Sequence, residues 1–410
     1  MEGIYTISTN MMQTTAIAII MLYVGRFLRN KINFFEKFCI PAPVIGGFLF
    51  AIIHLILKVN GIATFDMDVT LKDPFMMVFF TSIGIGANLE TIKKGGKGFL
   101  IFLAVSVVVV VCQNIIGMGV SKLIDQNSLL GLACGSITMV GGHGTAGAWG
   151  PDLEAVGLES GAVIALAAAT FGVIMGSLIG GPIGSARIKR HGLKPNADLF
   201  VARESEEVVD EGGYEAPLNV NDFSKVLCLI FCSVGLGVIL KKFLQDNVSI
   251  AGTPLNLPEY VAAMIFSGLF VNTLGRKKVF EMNQRANDIC GSIGLNVFLS
   301  IALITIDLTQ LKAVAGPMLI VLFTQTAFMA LFSYFVVFKV MGSDYDAAVL
   351  AGGMCGFGMG ATYNALANMD SITEKFGPAP KAYFILPMVG AFAIDIINVL
   401  IITIFAQIQF

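Results

Sequence analysis

Charge is what this 410-residue chain lacks most: Asp, Glu, Lys and Arg make up 13% of it, against roughly 25% in soluble domains. With a mean hydropathy of +0.80, no stretch is polar enough to form a soluble catalytic domain. The net charge of −2 leaves no basis for nucleic-acid binding. Seven cysteines (Cys39, Cys112, Cys134, Cys228, Cys232, Cys290, Cys355) lie in or beside apolar segments without CxxC spacing. That spacing suggests neither a zinc site nor a disulfide framework, so buried free thiols are expected. GxSxG and HExxH are missing, as is a second intramembrane histidine near His143, which argues against an intramembrane enzyme. No ATP-binding motif occurs. The chain start lacks the basic region and small-residue cleavage site of a secretory signal, so the first apolar segment is expected to stay in the mature protein.

What the chain does have is apolar length. Hydrophobic residues make 56% of it, gathered in runs of about 20, the length that crosses a hydrocarbon core of about 30 Å. The reading is an all-α polytopic membrane protein with ten spans, near residues 11–28, 39–57, 74–90, 98–120, 160–183, 223–242, 257–274, 287–307, 313–338 and 382–405. Two glycine-rich polar tracts are left over: GSITMVGGHGTAGAWG at Gly135 to Gly150, and GGMCGFGMGATYNALAN at Gly352 to Asn368. Lipid offers nothing to freed backbone groups, so such tracts belong where protein or a water-filled cavity satisfies them. They are expected as re-entrant hairpins, at about 129–150 and 347–368, each ahead of the last span of its half.

Lys and Arg set the orientation. With the N-terminus outside, 20 of the 26 basic residues fall in inside loops, and both termini face out. Arg187 to Asp222, with its acidic run EVVDEGGYE, is then a solvated cytoplasmic linker. It separates an N-terminal half, 1–186, from a C-terminal half, 223–410. Five spans per half force the second to sit upside down relative to the first. Faint repeats agree: Phe79/Phe298 and Asn88/Asp307 share an offset of 219, Gly135/Gly353 differ by 218 and Thr145/Thr362 by 217. Inverted halves bring the two hairpin tips together near midplane, the arrangement of a transport site.

The tracts themselves carry chemistry. Backbone N–H groups at Gly141, Gly142, Gly144, Gly358 and Gly360 can form anion nests, which suit a carboxylate substrate. Hydroxyl and amide groups of Ser136, Thr138, Thr145, Thr362, Asn364 and Asn368, with carbonyls such as that of Gly356, are the hard neutral ligands of a monovalent cation. Close helix packing through small residues is the plainer alternative. His143 suits a structural or substrate hydrogen bond, with proton coupling or a metal as weaker alternatives for a single histidine. His54, near a span end, reads as interfacial. Asp395 is the only acid well inside the last span, and Asn398 shares its helical face. Together they could receive an ammonium or a cation, or simply join two helices. Asn88 and Asp307 end equivalent spans, as caps or cation ligands. Gln113 and Asn114 lie mid-span and are expected to bridge helices.

The phrases GSITMVGGHGTAGAWG, ATFGVIMGSLIGGP, YDAAVLAGGMCGFGMGATYNALANM and ITEKFGP...ILPMVGAFAIDIINVLII resemble the bacterial sodium/glutamate symporter family over essentially the whole chain. The resemblance implies a sodium-coupled L-glutamate carrier of the inner membrane, a homodimer of inverted-repeat protomers with an elevator-type motion, and no organic cofactor. On that reading Ser136, Gly141 to Thr145, Gly358, Gly360, Thr362, Asn364 and Asp395 form the substrate site. Sodium is held by Thr138, Gly356, Asn368, Asp395, Asn398, Asn88 and Asp307. The chain departs from the family pattern at Ala361 to Asn368, ATYNALAN where a proline-containing ATPTAIAN is expected, which bears on substrate preference. The alternatives are a carrier of another dicarboxylate or amino acid, coupled to protons or sodium, and an ion channel with re-entrant filter loops.

Overall fold

The computed structural model describes residues 5–38, 40–87, 96–195, 218–247, 249–250, 253–254, 257–273 and 282–408. Strand β1 (Tyr5–Thr9) leads into α1 (Met11–Lys31), which a capping box starts: Asn10 accepts from the Gln13 amide while the Gln13 side chain returns to Asn10. After the short α2 (Asn33–Lys37) comes α3 (Ala42–Val59), opened by Pro41 and Pro43, where missing N–H groups cost nothing. Strand β2 (Ala63–Met67) pairs in parallel with β1, Tyr5 opposite Ala63. The chain continues through α4 (Lys72–Gly86) and α5 (Gly96–Leu123).

The first glycine tract then breaks into α6 (Ser128–Ala133), α7 (Ser136–Met139) and α8 (Gly142–Ala155). Helix α9 (Gly161–His191) has 31 residues, about 46 Å, and ends at Gly192 in the left-handed conformation. The second half contains α10 (Val220–Asn247), α11 (Glu259–Thr273), α12 (Gln284–Ile304) and α13 (Leu311–Phe332). A π-helical turn at Ser333–Val337 extends α13. The second tract forms α14 (Tyr345–Phe357) and α15 (Thr362–Phe376). Last come α16 (Pro380–Met388), a π turn at Val389–Ala393, and α17 (Ile394–Ile408).

Seven helices among the described residues are long and apolar enough to cross a membrane: α1, α3, α5, α9, α10, α12 and α13 with its extension. Two expected spans differ: α4 ends at Gly86, short of the expected 90, and the last span is α16 and α17 joined through a π turn. Asn88, Cys39 and most of the expected linker lie outside the described residues. Helix α9 runs to His191, beyond the expected boundary at 186, because its basic last turn suits a helix C-terminus.

The helices pack as two groups. The first three helices of each half, α1, α3, α4, α10, α11 and α12, pack mainly on one another. Small residues permit this: a methyl on Gly84 would lie 2.1 Å from the Met264 carbonyl oxygen, and one on Gly25 would lie 2.0 Å from that of Ala42. The second group holds α5, α6 to α9 and α13 to α17. Its seam is the stripe Gly172, Gly176, Gly180 and Gly184 of α9, which lies against backbone carbonyls of α14 and the turn after it. The outer ends of the two broken tracts sit at opposite ends of α9. Asn127 donates to the Gly157 carbonyl just before α9 begins, whereas Gly377 packs on Pro195 just past its end.

Candidate functional site

The two broken tracts meet. Gly142 has φ +59°, and a methyl there would lie 2.5 Å from the carbonyl oxygen of Gly360, so one tip rests directly on the other. Beside this contact is a cavity of about 210 Å³. One wall comes from the second group of helices: Val140 to Gly144, Phe357, Ala361 to Tyr363, Gly390 and Asp395. The opposite wall comes from the first group: Pro41, Pro43, Phe79, Leu295, Asn296 and Leu299.

Polarity in the cavity is uneven. Helix α8 starts at Gly141 and α15 at Ala361, and no side chain caps either. The positive end of each dipole, at a helix start without a side-chain cap, favours an anion. Asp395, half-buried, brings the one carboxylate in the wall. Thr362 donates to the Gly390 carbonyl at 3.1 Å, fixing the start of α15 against the π turn that precedes Asp395.

Of the residues expected at a substrate site, the cavity wall includes Gly141, Gly142, His143, Gly144, Thr362 and Asp395. The others stand behind it. Ser136 is buried, its N–H bonded to Asn114 Oδ1 at 2.8 Å and its carbonyl to Asn398 Nδ2 at 3.1 Å. Thr145 lies beneath Gly141, and the Gly358 carbonyl accepts from Gln113 Nε2 at 2.6 Å. Asn364 Nδ2 donates to the Val173 carbonyl at 2.9 Å.

The expected sodium ligands are not gathered at one point. Thr138 donates to Ala133, and Asn368 donates to Gly176. Gly356 packs against the Asn364 backbone. Asp307 pairs with Lys58 at 2.5 Å and accepts from Thr309, while Asn88 lies outside the described residues. The amide oxygens of Asn364 and Asn398 are buried without a protein partner and remain available as ligands. No cluster of three His, Cys, Asp or Glu side chains suited to a metal occurs among the described residues.

Gln113 and Asn114 do bridge helices. Gln113 reaches the second tract and Asn114 the first, and Gln325 Nε2 donates to the Gln113 carbonyl at 2.7 Å. His54 is buried instead of interfacial, its Nε2 accepting from the Phe65 amide at 3.2 Å, because β2 folds back over it. Sequence reading missed the apolar wall of Pro41, Pro43, Leu295 and Leu299, which no local pattern separates from ordinary lipid-facing or core residues. Phe79 carried one signal, its match to Phe298. Both rings face the first tract, Phe79 against Gly144 and Phe298 against Gly147.

Residues 7–378 match the sodium/glutamate symporter family model. The chain belongs to that family. It is 40% identical over 397 residues to the sodium/glutamate symporter of Haemophilus influenzae, covering 96% of each chain. It is also 40% identical over 395 residues to that of Escherichia coli, again with 96% of each covered. With its apolar helices, this family member is a multi-pass membrane protein and a transporter, not an enzyme.

Proposed function

We propose that this protein carries L-glutamate into the cell together with sodium, by alternating access. The observation that supports this most directly is the cavity where two uncapped helix starts and Asp395 converge between two separately packed helix groups. Two helix starts offer places for two carboxylates, and one acid answers an ammonium. The buried amide oxygens of Asn364 and Asn398 serve as sodium ligands, with Asp395 shared between the ion and the substrate. Each net positive charge carried inward gains about 2.3 kcal/mol per 100 mV, roughly 50-fold accumulation.

The architecture in this reading is ten spans in two inverted halves, the first ending with α9 at His191 and the second starting with α10 at Val220, joined by a cytoplasmic linker. Each half contains one re-entrant hairpin, and both termini face away from the cytoplasm of a bacterial inner membrane. The outer ends of the two tracts, at opposite ends of α9, favour it. The division into two helix groups favours an elevator motion, with α5 to α9 and α13 to α17 carrying the site past α1, α3, α4 and α10 to α12 in each protomer of a homodimer. The cavity then changes sides as its Phe79 and Leu299 wall is left behind.

The test is uptake of labelled L-glutamate by purified protein in liposomes. Sodium imposed outside should drive accumulation, and choline in its place should not. Asp395→Asn should remove accumulation while the protein still inserts. Equal uptake in choline would end the coupling claim.

A further inference from the structure

Within α9, the Thr170 hydroxyl lies 3.0 Å from the Leu166 carbonyl oxygen and 3.0 Å from Nε2 of His143. A hydroxyl has one hydrogen to give, and a carbonyl has none. Both contacts are hydrogen bonds only if Thr170 donates to Leu166 and His143 donates from Nε2 to Thr170. In the neutral ring Nδ1 is then a bare acceptor.

That acceptor is unsatisfied. His143 is 4% exposed and Nδ1 has no partner among the described residues, yet the residue is part of the cavity wall. Thr362 in the wall gives its one hydroxyl hydrogen to the Gly390 carbonyl. A buried acceptor without a donor is costly, so the donor comes with whatever fills the cavity. A carboxylate has no hydrogen to give and is repelled by Asp395, which shares the wall.

We infer that His143 Nδ1 accepts a hydrogen bond from the α-ammonium of the transported amino acid, beside Asp395, and that Thr170 positions the ring by keeping its proton on Nε2. This rests on reading the cavity as the glutamate site and adds a division of labour within it. Helix starts hold carboxylates, and the His143–Asp395 side selects for an amino group. The residue so assigned separates L-glutamate from glutarate, which has the same two carboxylates and no ammonium.

Two measurements test it. In proteoliposomes, unlabelled L-glutamate and glutarate compete with labelled glutamate for sodium-driven uptake by wild type, Thr170→Val and His143→Phe. Loss of a hydrogen bond to a charged group predicts a roughly 10- to 100-fold weaker competition by glutamate, with glutarate unchanged. Equal weakening of both ligands, or of neither, overturns the inference. Wild-type protein labelled with ¹⁵N-histidine has three histidines to resolve, and His143→Phe assigns the signal. Nδ1 of His143 should read as unprotonated and move on adding glutamate with sodium, but not with glutarate. A protonated Nδ1, or no movement at saturating glutamate, overturns it without relying on any variant's activity. Absence of wild-type uptake overturns the glutamate reading and this inference together, whereas normal uptake with an unmoved ratio overturns the inference alone.

Discussion

Asp307 illustrates how a residue type can be read correctly and its partner missed. It ends a span, as expected, but pairs with Lys58, 249 positions away in the sequence, across the ends of α3 and α12. Partial burial pushes its carboxyl up, yet the Lys58 ammonium and the Thr309 hydroxyl and amide outweigh that, holding it below the ordinary carboxylate value. A depressed value contributes stability above the unfolded pKa of about 3.9, lost as pH falls through the folded one. Asp307→Asn should therefore lower stability by about 0.5–1 kcal/mol at pH 7, a modest figure because Lys58 is partly in water. The gap should close below pH 4 in thermal unfolding of detergent-solubilised protein. The sodium dependence of uptake should be unchanged, because Lys58 and Thr309 already occupy the Asp307 carboxylate. A raised sodium requirement would return it to the set of ion ligands.

At the level of elements, each tract is a helix that stops, exposes its neighbour's start, and resumes. Glycine makes the stop possible. At Gly142 the backbone has φ +59° and the opposing Gly360 carbonyl leaves no room for a side chain. Alanine there pays about 1 kcal/mol for the left-handed conformation and must also push the two tips apart. Gly142→Ala should cut glutamate uptake tenfold or more with normal membrane insertion, whereas alanine at Gly119, which has nothing within 4 Å, should be near neutral. Matching uptake by the two variants would show that the tips need not touch. The glycines of α9 are different, since they act through helix packing. Four at a spacing of four bring α9 onto backbone carbonyls of the second tract, the plainer reading that small residues always carried.

For the molecule as a whole, opposite hairpin entry is the claim most open to direct test. The native thiols that flank the tracts are poor probes, because Cys134 and Cys355 are both fully buried. Exposed positions near the hairpin bases serve better: Glu159, before α9, and Glu374, near the end of α15. In a cysteine-free background, Glu159→Cys should react with an impermeant thiol reagent from outside and Glu374→Cys from inside. Labelling of both from one face would remove the inverted arrangement, and with it the orientation drawn from Lys and Arg counts.

How much was legible follows from what each signal depends on. Membrane class, most span positions and the two broken tracts depend on local composition: a run of apolar residues has one stable place, and a glycine-rich interruption cannot face lipid. They could be read from residue order, as could Asp395 and His143, since a titratable group amid apolar neighbours stands out. The span end was less accurate at α4, which stops at Gly86 where the expected span ran to 90. The apolar wall of Pro41, Leu295 and Leu299, the turning of Asn364 and Asn398 onto distant carbonyls, and the Thr170–His143 contact came from folding. Each is a long-range match between residues whose own neighbourhoods are ordinary: the wall needs the two helix groups packed on each other, and the other contacts need the second group packed on itself.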